Sequence, residues 1–251
     1  MRSSATSGSQ GGQPFSRYAL ELWLRSPRGR QVQALEEREL RRVLPDLFGR
    51  HVLQIGSWGR GDTLLQSSEM LHRAVIGTMP DLGAQAIAEI ERLPILDKSV
   101  DAVLLPHALE FSRSPHPVLR EVNRILSDRG RLIILGFNPW SAWAWRQHLG
   151  LRYRAFPAGA RFVGERRLHD WLELLDFEVL EVRRFGTRWI DRWFRAGPQG
   201  YLLVAKKRVI PMSLVGRRVR AHVKTLLGGV TATSGGVTRA SRTAPLDPRP
   251  L

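Results

Sequence analysis

The segment from Leu93 to Pro139 constrains the fold more than any other part of this chain, because it contains a whole strand–helix–strand unit with turn chemistry at each joint. Asp97 to Asp101 supplies a turn, and the short apolar run Ala102–Leu105 suits a buried strand. Ser114 then stands before Pro115, an N-cap residue followed by a proline that the first helical turn tolerates. Val118, Leu119, Val122, Ile125 and Leu126 recur at the spacing of one helix face. Asp128-Arg129-Gly130 is expected to end that helix, and Leu132–Leu135 to begin a second buried strand. Two buried strands joined by a helix imply a parallel, right-handed crossover within an open α/β sheet.

The remaining elements follow from the same reasoning. A helix is expected from Ser26-Pro27 to about Leu44, with Val32, Leu35, Leu40 and Val43 on one side and Pro45 closing it. Strand one is His51–Ile55, followed by a helix over Thr63–His72 and a second strand at Ala74–Gly77. A third strand at Gln85–Ala88 comes so soon afterwards that the intervening helix must be lost or shortened. Ile134–Phe137 ends the fifth strand, and a tryptophan-rich helix is expected over Pro139–Leu149. Gly164–Phe177 holds a helix with Leu168, Trp171, Leu172 and Leu175 inward, and Phe177–Val182 and Gly200–Ala205 are the last two strands.

These motifs resemble the second half of the class I S-adenosylmethionine-dependent methyltransferases, the type 11 group. The carriers are Leu93-Pro94, the DxSxD run from Asp97 to Asp101, the apolar strand, HxLEF from His107 to Phe111, the helix, and the strand after Arg129-Gly130-Arg131. The resemblance covers about residues 50–206. It implies an open, doubly wound, mostly parallel seven-stranded sheet with an antiparallel last strand, a Rossmann-like methyltransferase fold. An N-terminal helical extension and a basic C-terminal tail flank it. The expected organisation is a disordered stretch over 1–14, a domain over 15–206 with a helical cap at 15–50 and an α/β core at 51–206, and a basic amphipathic segment and tail over 207–251.

In such sheets ligands bind beyond the carboxyl ends of the strands, where the strand order reverses. The loop there is Gly56-Ser57-Trp58-Gly59-Arg60-Gly61. Glycines allow close approach of backbone, and a following helix would offer free N–H groups to the cofactor's carboxylate. The resemblance assigns Gly56, Ser57, Trp58, Gly59, Gly61, Thr78, Glu89, Ile90, Pro106 and His107 to S-adenosylmethionine. Glu89 would accept from the adenine amino group. Three positions depart from the pattern. Gln54 replaces an acidic residue, Trp58 replaces a glycine and would crowd the adenosine, and the end of strand two lacks a carboxylate for the ribose, Asp81 coming late.

Methyl transfer from a sulfonium asks mainly for alignment and exclusion of water. A base is needed only where the acceptor loses a proton, and His107 is the candidate catalytic residue, a structural histidine being the plainer reading. Phe137, Asn138, Trp140, Trp143 and Trp145 lie where an acceptor would enter, with Asn138 and Trp140 the candidate substrate contacts; aromatic residues at this spacing also commonly cover a core. A small-molecule acceptor is expected.

Charge and cysteine content exclude other classes. No cysteine is present, so disulfides, thiolate catalysis and cysteine-held metals are ruled out, and no metal is expected. The net charge is +16 and falls unevenly: +4 over residues 1–50, −1 over 51–145, +4 over 146–205 and +9 over 206–251. The core is thus near neutral. The C-terminal excess opens a second reading, a catalytically degenerate methyltransferase-fold protein that contacts RNA or an anionic membrane; an arginine-biased composition is the bland alternative. A nicotinamide oxidoreductase shares the glycine-rich turn, but Tyr18, Tyr153 and Tyr201 have no lysine partner at a useful spacing. With neither an apolar leader nor a membrane-length apolar run, a soluble cytoplasmic protein is expected.

Overall fold

The computed structural model describes residues 22–56, 58, 59, 61–78, 83–141, 144, 161–186 and 198–208. Seven strands form one sheet in the order β3-β2-β1-β4-β5-β7-β6. They are β1 (His51–Ile55), β2 (His72–Gly77), β3 (Ala86–Ile87), β4 (Val100–Pro106), β5 (Leu126–Phe137), β6 (Phe177–Phe185) and β7 (Gly200–Lys207). β1, β2, β3, β4 and β5 pair in parallel, while β7 runs antiparallel to both β5 and β6. This is the expected architecture, with its switch of strand order between β1 and β4.

Helix α1 (Pro27–Val43) opens on Ser26, whose hydroxyl accepts from the Gly29 N–H at 3.1 Å. Its inward stripe, Val32, Leu40 and Val43, joins Val52, Leu65, Leu104, Ile133 and Leu202 in the core on one face of the sheet. A short extra helix, α2 (Ala108–Phe111), follows β4. Helices α3 (Pro115–Ile125) and α4 (Glu165–Leu174) cover the other face through Val118, Leu119, Val122, Ile125, Leu168 and Leu172. Alternate residues of each central strand feed the two layers, as the pleat requires. Among the described residues, no helix is long and apolar enough to cross a membrane.

Several local expectations are corrected. Thr63–His72 is not a helix: one 3-10 turn, Thr63–Leu65, is followed by Ser68, whose hydroxyl takes the Met70 N–H, and His72 already begins β2. A side-chain acceptor of this kind competes with helix propagation. Ser114 occupies the N-cap position without capping; its own N–H goes to the Ser112 hydroxyl. Asp128-Arg129-Gly130 does not separate helix from strand. The last turn of α3 passes directly into β5, and these residues form a bulge, Val100 facing Leu126 and Ala102 facing Arg131. The third strand is only Ala86–Ile87, and both residues are exposed. Of the expected Pro139–Leu149 helix, Pro139 and Trp140 form a turn and Ser141 a bridge, Ala144 is helical, and the rest lies outside the described residues, as does the tail from 209 onward.

Candidate functional site

The carboxyl ends of β1, β4 and β5 converge beneath α1, and five side chains meet there. β4 ends at Pro106, and His107 adopts a left-handed backbone, φ +52°, before α2 begins. Such a conformation is unusual for a residue with a Cβ and persists only where its surroundings enforce it. It places the imidazole in the apolar layer under α1, with no exposed side-chain surface. Nδ1 lies 2.7 Å from Glu110 Oε2, one helical turn on, and Nε2 lies 2.7 Å from Glu36 Oε1, 71 residues away on α1.

Both carboxylates are tied at their outer oxygens too. The Trp58 indole N–H donates to Glu36 Oε2 at 2.5 Å, and the Phe137 backbone N–H donates to Glu110 Oε1 at 2.5 Å. Those two donors have no acceptor character, so the outer oxygens must accept. Each inner bond then holds one proton, and two protons shared among two carboxylates and an imidazole ring leave a net charge of −1. That result does not depend on which atom of each bond carries the proton.

Burial works against the His107 imidazolium, but the opposing Glu110 and Glu36 carboxylates and their hydrogen bonds outweigh it, raising the pKa from 6.5 to about 9. His107 is therefore an imidazolium at neutral pH. Aromatic rings close it on both sides: Phe137 stacks at 3.9 Å between centroids, and Trp58 leans on it at 4.0 Å. Trp23 lies 6.1 Å from both Trp58 and Phe137.

The glycine loop begins directly after β1. Gly56 has φ +108°, Gly59 +86° and Gly61 +56°, all conformations that side chains disfavour. A Cβ at Gly56 would sit 3.5 Å from the Ala108 Cβ, just beyond β4. Beneath the loop Gln54 is fully buried, and its Nε2 donates to the carbonyls of Gly56 at 3.1 Å and Trp58 at 3.2 Å. A carboxylate in its place could make neither bond. The Gln54 Oε1, also buried, has no hydrogen-bond partner among the described residues.

The structure therefore brings together Gly56, Trp58, Pro106 and His107 of the expected set. Ser57 lies outside the described residues, as do Trp143, Trp145 and Asp81. Gly59 and Gly61 continue the loop, Gly61 facing Gly83. Thr78 is half-buried after β2, Ile90 is buried, and Glu89 is exposed. Asn138 Oδ1 accepts from the Trp140 N–H at 3.0 Å, and the Trp140 indole is 70% exposed. Tyr201 is committed elsewhere: its hydroxyl donates to the Val163 carbonyl at 2.9 Å, and burial pushes its pKa well up.

Sequence reasoning missed Glu36 and the bond between Glu110 and His107. A signal for Glu36 existed, since Val32, Glu36, Leu40 and Val43 share one helix face, and an acid on an apolar stripe demands a partner. Its partner could not be read from spacing across 71 residues.

A protein family described as "Methyltransferase domain", of the type 11 group, matches residues 66–134. The uncharacterized protein YafS of Escherichia coli is 32% identical over 209 residues, covering 80% of this chain and 86% of YafS. Among solved structures, an S-adenosylmethionine-dependent methyltransferase of Thermotoga maritima superposes with a TM-score of 0.59 at 19% identity, over 77% of this chain and 98% of that one. The 1,6-didemethyltoxoflavin-N1-methyltransferase of Burkholderia thailandensis, solved with 1,6-didemethyltoxoflavin and S-adenosylhomocysteine, gives 0.51 at 16% identity, over 76% and 88%. The two structural likenesses carry the fold, and the domain match and YafS carry the kinship. The chain belongs to the class I S-adenosylmethionine-dependent methyltransferases, in their type 11 group.

Proposed function

We propose that this chain is an active methyltransferase that transfers the methyl group in line to a small-molecule acceptor. The observation that carries the reading is the glycine loop leaving β1 at the strand-order switch, with the unpartnered Gln54 Oε1 buried beneath it. Glycine backbone and a buried lone acceptor suit a ligand that brings its own N–H donors, as the amino-acid end of S-adenosylmethionine does. Gly56, Ser57, Gly59 and Gly61 would form the cradle, with Thr78, Glu89, Ile90 and Pro106 along the nucleoside. Trp58 is the residue that fits least.

S-adenosylmethionine supplies a methyl group already activated by its sulfonium. The chain's own work is to align the acceptor and keep water out, and the buried rings of Trp23 and Phe137 serve that end. His107 takes an electrostatic and positioning part rather than that of a base. With both ring nitrogens donating to carboxylates, the imidazolium offers no lone pair to an acceptor's proton. Asn138 and Trp140, at the end of β5, are the residues we assign to the acceptor. The test is calorimetric titration of the full chain with S-adenosylhomocysteine. Saturable binding below millimolar concentration is expected, and no heat at millimolar ligand would overturn the reading.

One observation favours the second reading, a non-catalytic scaffold: a buried tryptophan fills the place the family gives to glycine. Absence of binding in that titration, with salt-sensitive RNA binding by the full chain lost on truncation after Arg208, would move the assignment there.

A further inference from the structure

We propose that Trp58 sets the cofactor affinity of this site by acting as an internal competitor, its indole holding the place at the ends of β1 and β4 that the ligand must take. The inference rests on the methyltransferase reading above and goes beyond it.

Three observations meet on this side chain. It stands between two glycines of positive φ, Gly56 and Gly59, in the loop that follows β1. Its ring is 1% exposed and lies across His107, the first residue beyond β4, at the edge where α/β sheets bind ligands. Finally, it is fastened at three points: the indole N–H to Glu36 Oε2, the ring face against the imidazolium, and the main-chain carbonyl to Gln54 Nε2. A bulky residue merely tolerated in a loop would turn to solvent. This one is built into the core, and a cofactor that needs the loop open must break the first two of those interactions.

The expected size follows from the bonds that opening breaks. A hydrogen bond to a charged acceptor is worth on the order of one to two decades in an equilibrium constant. The apparent affinity of a ligand falls by the fraction of protein held in the closed arrangement. Replacing the indole by nothing should therefore recover about tenfold to a hundredfold in cofactor affinity, and replacing it by a ring that cannot donate should recover part of that.

The experiment titrates S-adenosylhomocysteine into the full-length wild type, Trp58→Gly and Trp58→Phe, with circular dichroism as a check on folding. W58G is expected to bind at least tenfold more tightly than wild type, with W58F between them. Should W58G fail to fold, W58F decides alone, and at least threefold tighter binding supports the competition. Fluorescence gives a second readout, because an indole lying on a protonated imidazole is quenched. Wild type should brighten on saturation with S-adenosylhomocysteine, and W58F should lack that increment. Equal or weaker binding by the variants refutes the competition and leaves the methyltransferase reading intact. Binding by none of the three refutes the methyltransferase reading itself.

Discussion

Changing Glu36 to glutamine separates the charge of the buried cluster from its hydrogen bonds. In the wild type the chain of donors runs inward from both ends, Trp58 to Glu36 and Phe137 to Glu110, with His107 donating to both carboxylates. With an amide at position 36 every bond can still be made. The indole donates to the amide oxygen, the amide N–H donates to His107 Nε2, and Nδ1–H donates to Glu110. The histidine is then neutral. Glu110→Gln works by the mirror-image route, but the double variant cannot. Two inward-pointing obligate donors and two one-way amides leave one N–H facing another N–H.

The magnitudes follow from the His107 pKa. A folded value of about 9 against 6.5 in the unfolded chain is a shift of roughly 2.5 units, or about 3 kcal/mol at 1.36 kcal/mol per unit. The folded value is the higher one, so this stability is fully present below pH 6.5 and is lost as pH rises through about 9. Guanidinium denaturation of wild type should therefore show about 3 kcal/mol less stability at pH 9.5 than at pH 6 from this group. E36Q should show almost none of that slope. The double variant E36Q/E110Q should lose about 1–3 kcal/mol beyond the sum of the two single changes, the usual cost of one unmet buried polar group. Wild-type stability that stays flat across pH 6–9.5, or an E36Q profile as steep as wild type, would refute the doubly donating imidazolium. Additive single changes would refute the bond-counting argument.

Substitutions at three other positions probe the frame around the site. Gly136→Ala drives a Cβ into the Tyr201 ring, which is pinned through its hydroxyl to Val163, and should cost about 1–3 kcal/mol or more by urea denaturation; a loss under about 0.5 would mean that the ring shifts freely. Arg124 donates to the carbonyls of Leu93 and Ile95, while Glu121 takes the Leu93 N–H. Arg124→Met should therefore loosen residues 93–97, seen as faster amide exchange there and about 1–2 kcal/mol lost stability, and unchanged exchange would remove the arginine from that role. Gln54→Glu sets a carboxyl group against two carbonyl oxygens at 3.1–3.2 Å and should destabilise the fold more than Gln54→Leu, as read by melting temperature; the reverse order would show that the amide does not hold the loop.

The strands and helices with strong periodicity are legible in the sequence because burial itself creates the pattern: His51–Ile55, Pro27–Val43 and Pro115–Ile125 are the elements their apolar spacing announces. Periodicity misassigns Thr63–His72 because the hydroxyl residues around Leu64-Leu65, Ser68 above all, satisfy backbone groups locally, which apolar spacing does not register. The Asp128–Gly130 bulge reads as a turn because the same residues serve either, and only the partner strand decides. In the site, the glycine loop and His107 are visible from their place in the chain. Glu36 is not, since its function depends on a contact 71 residues away that no local rule supplies.

Taken singly, two departures of this chain from its family's pattern, no acid at position 54 and a tryptophan for a glycine at 58, look like losses, and a carboxylate at 36 buried on the capping helix looks like a cost. In the fold they are one connected system. The Gln54 amide donates to the Trp58 carbonyl, the Trp58 indole to Glu36, and His107 to both Glu36 and Glu110. An acid at 54 could not have given the first bond, a glycine at 58 could not have given the second, and without Glu36 the indole N–H and the His107 Nε2–H would both be left buried and unmet. Random decay would leave unsatisfied donors scattered through such a layer, whereas among the described residues this network meets its donors and leaves open the acceptor Gln54 Oε1 at the loop. That pattern supports the proposed reading, a binding site with a closed resting form, over decay of an abandoned one. If a glycine at position 58 raised both stability and cofactor affinity, the network would be incidental and this argument would fail.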